Sequence, residues 1–88
     1  MNEINVNKFS EKALQNLKEK IERAFAGWKN VEIISHSFFE RENESIFSET
    51  HLFANDYVHK ITLKFHKNSD SWSREPNSIE HLGIKRPV

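Results

Sequence analysis

The chain has no cysteine, which excludes a disulfide framework, a thiolate metal site and a thiol nucleophile. That fits a reducing compartment, and a cytoplasmic location is the expectation. Glycine occurs only at Gly27 and Gly83, so no Gly-rich loop can cradle a phosphate. Net charge is lacking too, because thirteen basic residues balance thirteen acidic ones. A duplex DNA binder normally carries a basic excess, since phosphate neutralisation dominates its affinity, and a DNA mimic carries the opposite. Neutrality counts against both. No apolar run approaches the roughly 20 residues that cross a bilayer, and MNEINVNKFSEK has neither the basic segment nor the apolar run of a secretory signal. No membrane partner is expected. Serines are numerous, but none sits in Gly-x-Ser-x-Gly, and the HExxH pair is absent. The sequence therefore predicts no catalytic residue, no metal site and no cofactor.

What is present fits one small domain. Apolar residues make up 36% of the 88, and seven Phe and two Trp carry much of that share. Such a core supplies only a few kcal/mol of net stability, so pairing with a second copy is an accessible way to gain more. A homodimer is one expected assembly.

The clearest element is a helix over about 10–26. Leu14, Leu17, Ile21, Ala24, Phe25 and Trp28 recur at three- and four-residue steps and share one face. Ser10 is a suitable N-cap and Gly27 a left-handed stop. Lys18 with Glu22, and Glu19 with Arg23, form charge pairs on the solvated side. Residues 4–6 suggest a short first strand joined by a right-handed crossover. The β-branched and aromatic stretches at 30–39, 45–53 and 57–66 read as further strands. The prediction is an α+β domain over 1–66, with the helix packed on a three- or four-stranded, mainly antiparallel sheet in the order β-α-β-β-β. Residues 67–88 read as an irregular C-terminal tail, partly docked, with one helical turn over 77–83. Trp72, Ile79, Leu82 and Ile84 supply its apolar contacts, either to its own sheet or to a partner.

Three of five histidines fall in HLFANDYVHKITLKFHK, at 51, 59 and 66. Alternate strand residues face opposite sides, so His59 and His66 cannot share an ion from a regular strand. His51 depends on the turn. A two-residue loop at Asn55-Asp56 pairs Phe53 with Val58 and Leu52 with His59. A three-residue loop including Ala54 instead sets His51 opposite His59, with Glu49 nearby on an apolar face. That second register offers a Zn²⁺ or acid–base pair, with His36 as the nearest further ligand. It also leaves Glu49 among apolar side chains, which is costly. The two-residue loop keeps Glu49 in water and suits the strand twist, so it is the expected one.

In that register the solvent face interleaves Phe47 and Phe53 with Lys60, Lys64 and His66. Together with Trp72 of the tail, these are the predicted binding residues. The expected function is protein binding, as an adaptor, inhibitor or immunity-type partner acting through the open sheet face, an edge strand and the tail. The alternative is single-stranded nucleic acid, RNA in particular, stacked on the aromatic and lysine face. A ribonuclease-type toxin is a third reading, with His66, Lys64, Lys67 and Arg74 as the candidate machinery.

Overall fold

A computed structural model describes residues 2–87. Strand β1 (Asn2–Ile4) and a 3-10 turn (Val6–Lys8) precede helix α1 (Glu11–Ala24). Strand β2 (Glu32–Glu40), a second 3-10 turn (Glu42–Glu44), β3 (Ile46–Ala54), β4 (Tyr57–His66) and β5 (Ser71–Lys85) follow. The strands form one antiparallel sheet in the order β1-β2-β3-β4-β5, and α1 packs on one face. The α+β class and the order β-α-β-β-β hold, with five strands rather than three or four.

The helix begins where its cap dictates. The Ser10 hydroxyl accepts from the Ala13 N–H at 3.0 Å, which satisfies one of the donors that a first turn leaves free. Gly27 takes φ of +85° just beyond the helix, a conformation that suits a residue without Cβ. Leu17, Ile21 and Phe25 are buried against the sheet.

The first strand differs from expectation in place and direction. It lies at 2–4 and runs antiparallel to β2, so no crossover between parallel neighbours exists. The Asn5 side chain accepts from the Asn7 N–H at 2.9 Å, and this Asx turn ends the strand before Val6.

The segment expected to be an irregular tail is instead the fifth strand. Tyr57 pairs with Lys85, His59 with His81, Ile61 with Ile79 and Phe65 with Trp72. Two irregularities hide this ladder from a period-two reading. Glu75 through Ser78 lie against the single residue Thr62, and Leu82 through Ile84 against Val58. Pro76, which cannot donate to a ladder, falls inside the first of them. The Arg74 Nε–H donates to the Ser78 hydroxyl across that same bulge at 3.1 Å. The helical turn expected over 77–83 is absent, because these residues belong to β5.

Trp72 sits where helix and sheet meet. Its indole N–H donates to the Ala13 carbonyl at 3.0 Å, and its backbone N–H donates to Asn16 Oδ1 at 2.8 Å. The rings of Phe9, Phe38 and Phe65 stand 5.4, 5.8 and 4.8 Å from its ring centre. Among the described residues, one buried polar side-chain atom is left out of this bonding. Ser48 Oγ is fully buried without a hydrogen-bond partner, an omission that typically costs about 1–3 kcal/mol.

Candidate functional site

The β3–β4 turn decides which residues share a face. Asn55 and Asp56 both take positive φ, 51° and 68°, as a two-residue hairpin of the primed type requires. Phe53 accordingly pairs with Val58, Leu52 with His59 and His51 with Lys60. His51 and His59 therefore lie on opposite faces of the sheet. His59 is buried, its Nδ1–H donating to the Tyr57 carbonyl at 3.0 Å, with Trp28 edge-on at 5.1 Å between ring centres. Among the described residues no three His, Cys, Asp or Glu side chains are grouped to hold a metal ion.

Phe47, Phe53, Lys60 and Lys64 share the face away from α1, as the register requires, and His66 follows at its end. The aromatic rings there are not open platforms. Phe47 stacks on Phe39 at 5.9 Å, and the Arg41 guanidinium lies over Phe47 at 4.5 Å from its centre. Arg86 covers Phe53 in the same way at 4.9 Å while pairing with Glu32. A base would have to displace a bound guanidinium before it could stack.

Trp72 leaves the set of contact residues altogether. It is 1% exposed and belongs to the core, so it is not a free tail side chain offered to a partner. The ribonuclease constellation is divided as well. Lys64, His66 and Lys67 line one open cleft with Asn43 and Glu44, whereas Arg74 is turned to Ser78. His66 Nε2 is itself engaged with the Ser73 hydroxyl at 2.6 Å.

The feature that sequence reasoning did not place is the outer edge of β2. Strand β1 pairs only with Phe38, Phe39 and Glu40. Along Glu32–Ser37 no described strand pairs with the side away from β3. Helix α1 leans toward β5 and leaves this half of β2 uncovered. Val31, Ile33 and Ile34 are 42%, 40% and 47% exposed as a result. Edge strands are usually blunted by charge, proline or covering loops, because unpaired N–H and C=O groups template another chain. Here a bulge between Ile33 and Ser35 is present, yet the flanking side chains are aliphatic. The readable signal was Ile33-Ile34 itself, since alternation cannot bury two neighbours on one face.

At the inner end of this edge, His36 Nδ1 lies 2.7 Å from the Thr50 hydroxyl and its ring stacks near Phe38. Withdrawal from water lowers its pKa below the ordinary 6.5, because burial disfavours the imidazolium. The unfolded chain then binds the proton more readily, so stability present above pH 6.5 declines as pH falls through the folded-state value. Denaturant midpoints measured at pH 7.5 and at successively lower pH are expected to fall more steeply for the parent than for His36→Gln. Parallel profiles would remove His36 as the source.

No family model, curated protein or solved structure matches this chain.

Proposed function

We propose that this domain is a cytoplasmic protein-binding module that takes up an extended segment of a partner by strand addition to β2. One observation carries the reading: an unpaired strand edge at Glu32–Ser37, bordered by exposed Val31, Ile33 and Ile34. In strand addition the main-chain ladder supplies affinity, and alternate side chains supply selectivity. The tail drops out of the contact surface because it is β5, and the outer sheet face contributes less because Arg41 and Arg86 occupy its rings. An adaptor, inhibitor or immunity-type role is compatible with this mode of binding. The same two guanidinium contacts weigh against the nucleic-acid alternative, and no helix among the described residues is long and apolar enough to cross a membrane.

The test is selection of a displayed random-peptide library on the parent chain. The double variant Ile33→Lys/Ile34→Lys, at exposed positions, is expected to stay within about 1 kcal/mol of parent stability and to lose at least tenfold in retention of the selected peptides. Retention that survives this variant would put the binding surface elsewhere.

A further inference from the structure

Beside the open edge, on the face away from α1, lies a cleft lined by Glu3, Ser37, Phe39 and Glu49. Glu3 stands opposite Phe39, and Glu49 stands opposite Ser37. Among the described residues the one ion pair within 4.0 Å joins Arg86 to Glu32, so neither cleft carboxylate has a cation at contact distance. Lys60 and Lys64 occupy the diagonals from Glu49 across β4 without closing a pair. Glu49 is moreover half-buried, which makes an unanswered charge more costly than at an open surface.

Resting on the strand-addition reading, we infer that the strand accepted by β2 is basic on its outer side and apolar on its inner side. A residue of that strand opposite Ser35 has Ser37 as its diagonal neighbour on β2, and a Lys or Arg there extends over Ser37 toward Glu49, which stands opposite Ser37 on β3, and toward Glu3 on β1. A residue opposite Ile33 lies on the α1 side and meets exposed aliphatic surface. The occupant is therefore an extended peptide in which Lys or Arg alternates with an aliphatic residue. A second copy of this chain is a poorer occupant. Its own edge, Glu32–Ser37, carries no Lys or Arg to answer Glu3 and Glu49.

The experiment compares two acetylated, amidated peptides of about seven residues, an ordinary strand length, built as Thr-Val-Lys-Val-Lys-Val-Thr and its Lys-to-Glu counterpart. Binding to the full chain is measured by titration calorimetry and by amide chemical shifts. The Lys peptide is expected to bind at least tenfold tighter, shifting the amides of 32–37, and the double variant Glu3→Gln/Glu49→Gln is expected to erase that preference. Glu3 is exposed and Glu49 half-buried, and the replacing amides are isosteric, so the fold is retained and residual binding remains measurable. Backbone N-methylation of the Lys peptide on the ladder-facing set of amides is expected to abolish binding, and on the other set to leave it. Equal affinity for the two peptides, or a preference that survives Glu3→Gln/Glu49→Gln, overturns the charge inference while leaving strand addition in place. Absence of binding by both peptides, or insensitivity to N-methylation, overturns strand addition and the inference with it. A concentration-dependent dimer abolished by Ile33→Lys/Ile34→Lys overturns the inference in favour of a second copy.

Discussion

Trp72→Ala is expected to abolish the cooperative fold, not merely to weaken a contact. Removing a fully buried Trp leaves a cavity and typically costs about 3–5 kcal/mol. A domain of 88 residues commonly has little more than that to lose. The cavity would open among Phe9, Phe38 and Phe65, three rings that otherwise tie the helix entrance, β2 and β4 to one point. The lost indole N–H would also remove a bond from β5 to the first turn of α1. Trp72→Phe separates the two effects, since it keeps most of the ring volume and loses the bond, and a loss of about 1–2 kcal/mol is expected. Urea titration followed by far-UV circular dichroism checks both. A parent-like midpoint for Trp72→Ala would contradict the placement of this residue in the core.

The second large effect is expected at the hairpin. Asn55→Val puts a β-branched residue at φ of +51°, which costs about 1–2 kcal/mol. It also removes the side-chain oxygen that accepts from the Lys29 N–H at 2.8 Å, a further loss of about 1 kcal/mol. The backbone N–H of Asn55 donates to the Lys29 carbonyl at the same distance, so turn and α1–β2 connection hold each other at both ends. Asn55→Gly isolates the second term because glycine accepts positive φ freely. Denaturation should therefore rank the parent first, Asn55→Gly about 1 kcal/mol below and Asn55→Val about 2–3 kcal/mol below. Equal losses for the two variants would show that backbone conformation contributes nothing at this site.

These two residues also mark what could and could not be read from sequence. The hairpin was legible because its information is local. Alternation over 57–66 fixed the faces, Glu49 argued against the three-residue loop, and Asn-Asp tolerates positive φ. The helix was legible for the same reason, with Ser10, Gly27 and a 3.6-residue period in agreement. Trp72 was misplaced because its strand carries the ladder through two bulges. Apolar partners seven residues apart, Trp72 and Ile79, face Phe65 and Ile61 although those two are four apart. Pro76 and the serines then gave the stretch the composition of a loop. Among the six predicted contact residues, Phe47, Phe53, Lys60 and Lys64 lie on the expected face and His66 at its end, and only Trp72 is in the core. Local pattern did not foresee Arg41 and Arg86 on the rings, nor how few β2 residues β1 would cover. Both depend on where a turn and the terminal segments come to rest, which is a tertiary matter.

The two margins of the sheet are unequal, and that inequality sets a limit on assembly. Along β5 the bulge at Glu75–Ser78, with its proline, and the second one at Leu82–Ile84 interrupt any straight run of free backbone groups. A chain seeking to continue the sheet meets both of these breaks on β5, against the single bulge between Ile33 and Ser35 on the β2 side. Growth of a fibre needs each molecule to offer a donor edge and an acceptor edge in succession. With one side closed, an added strand ends the sheet instead of extending it. The expected complex is finite, with one partner segment for each domain.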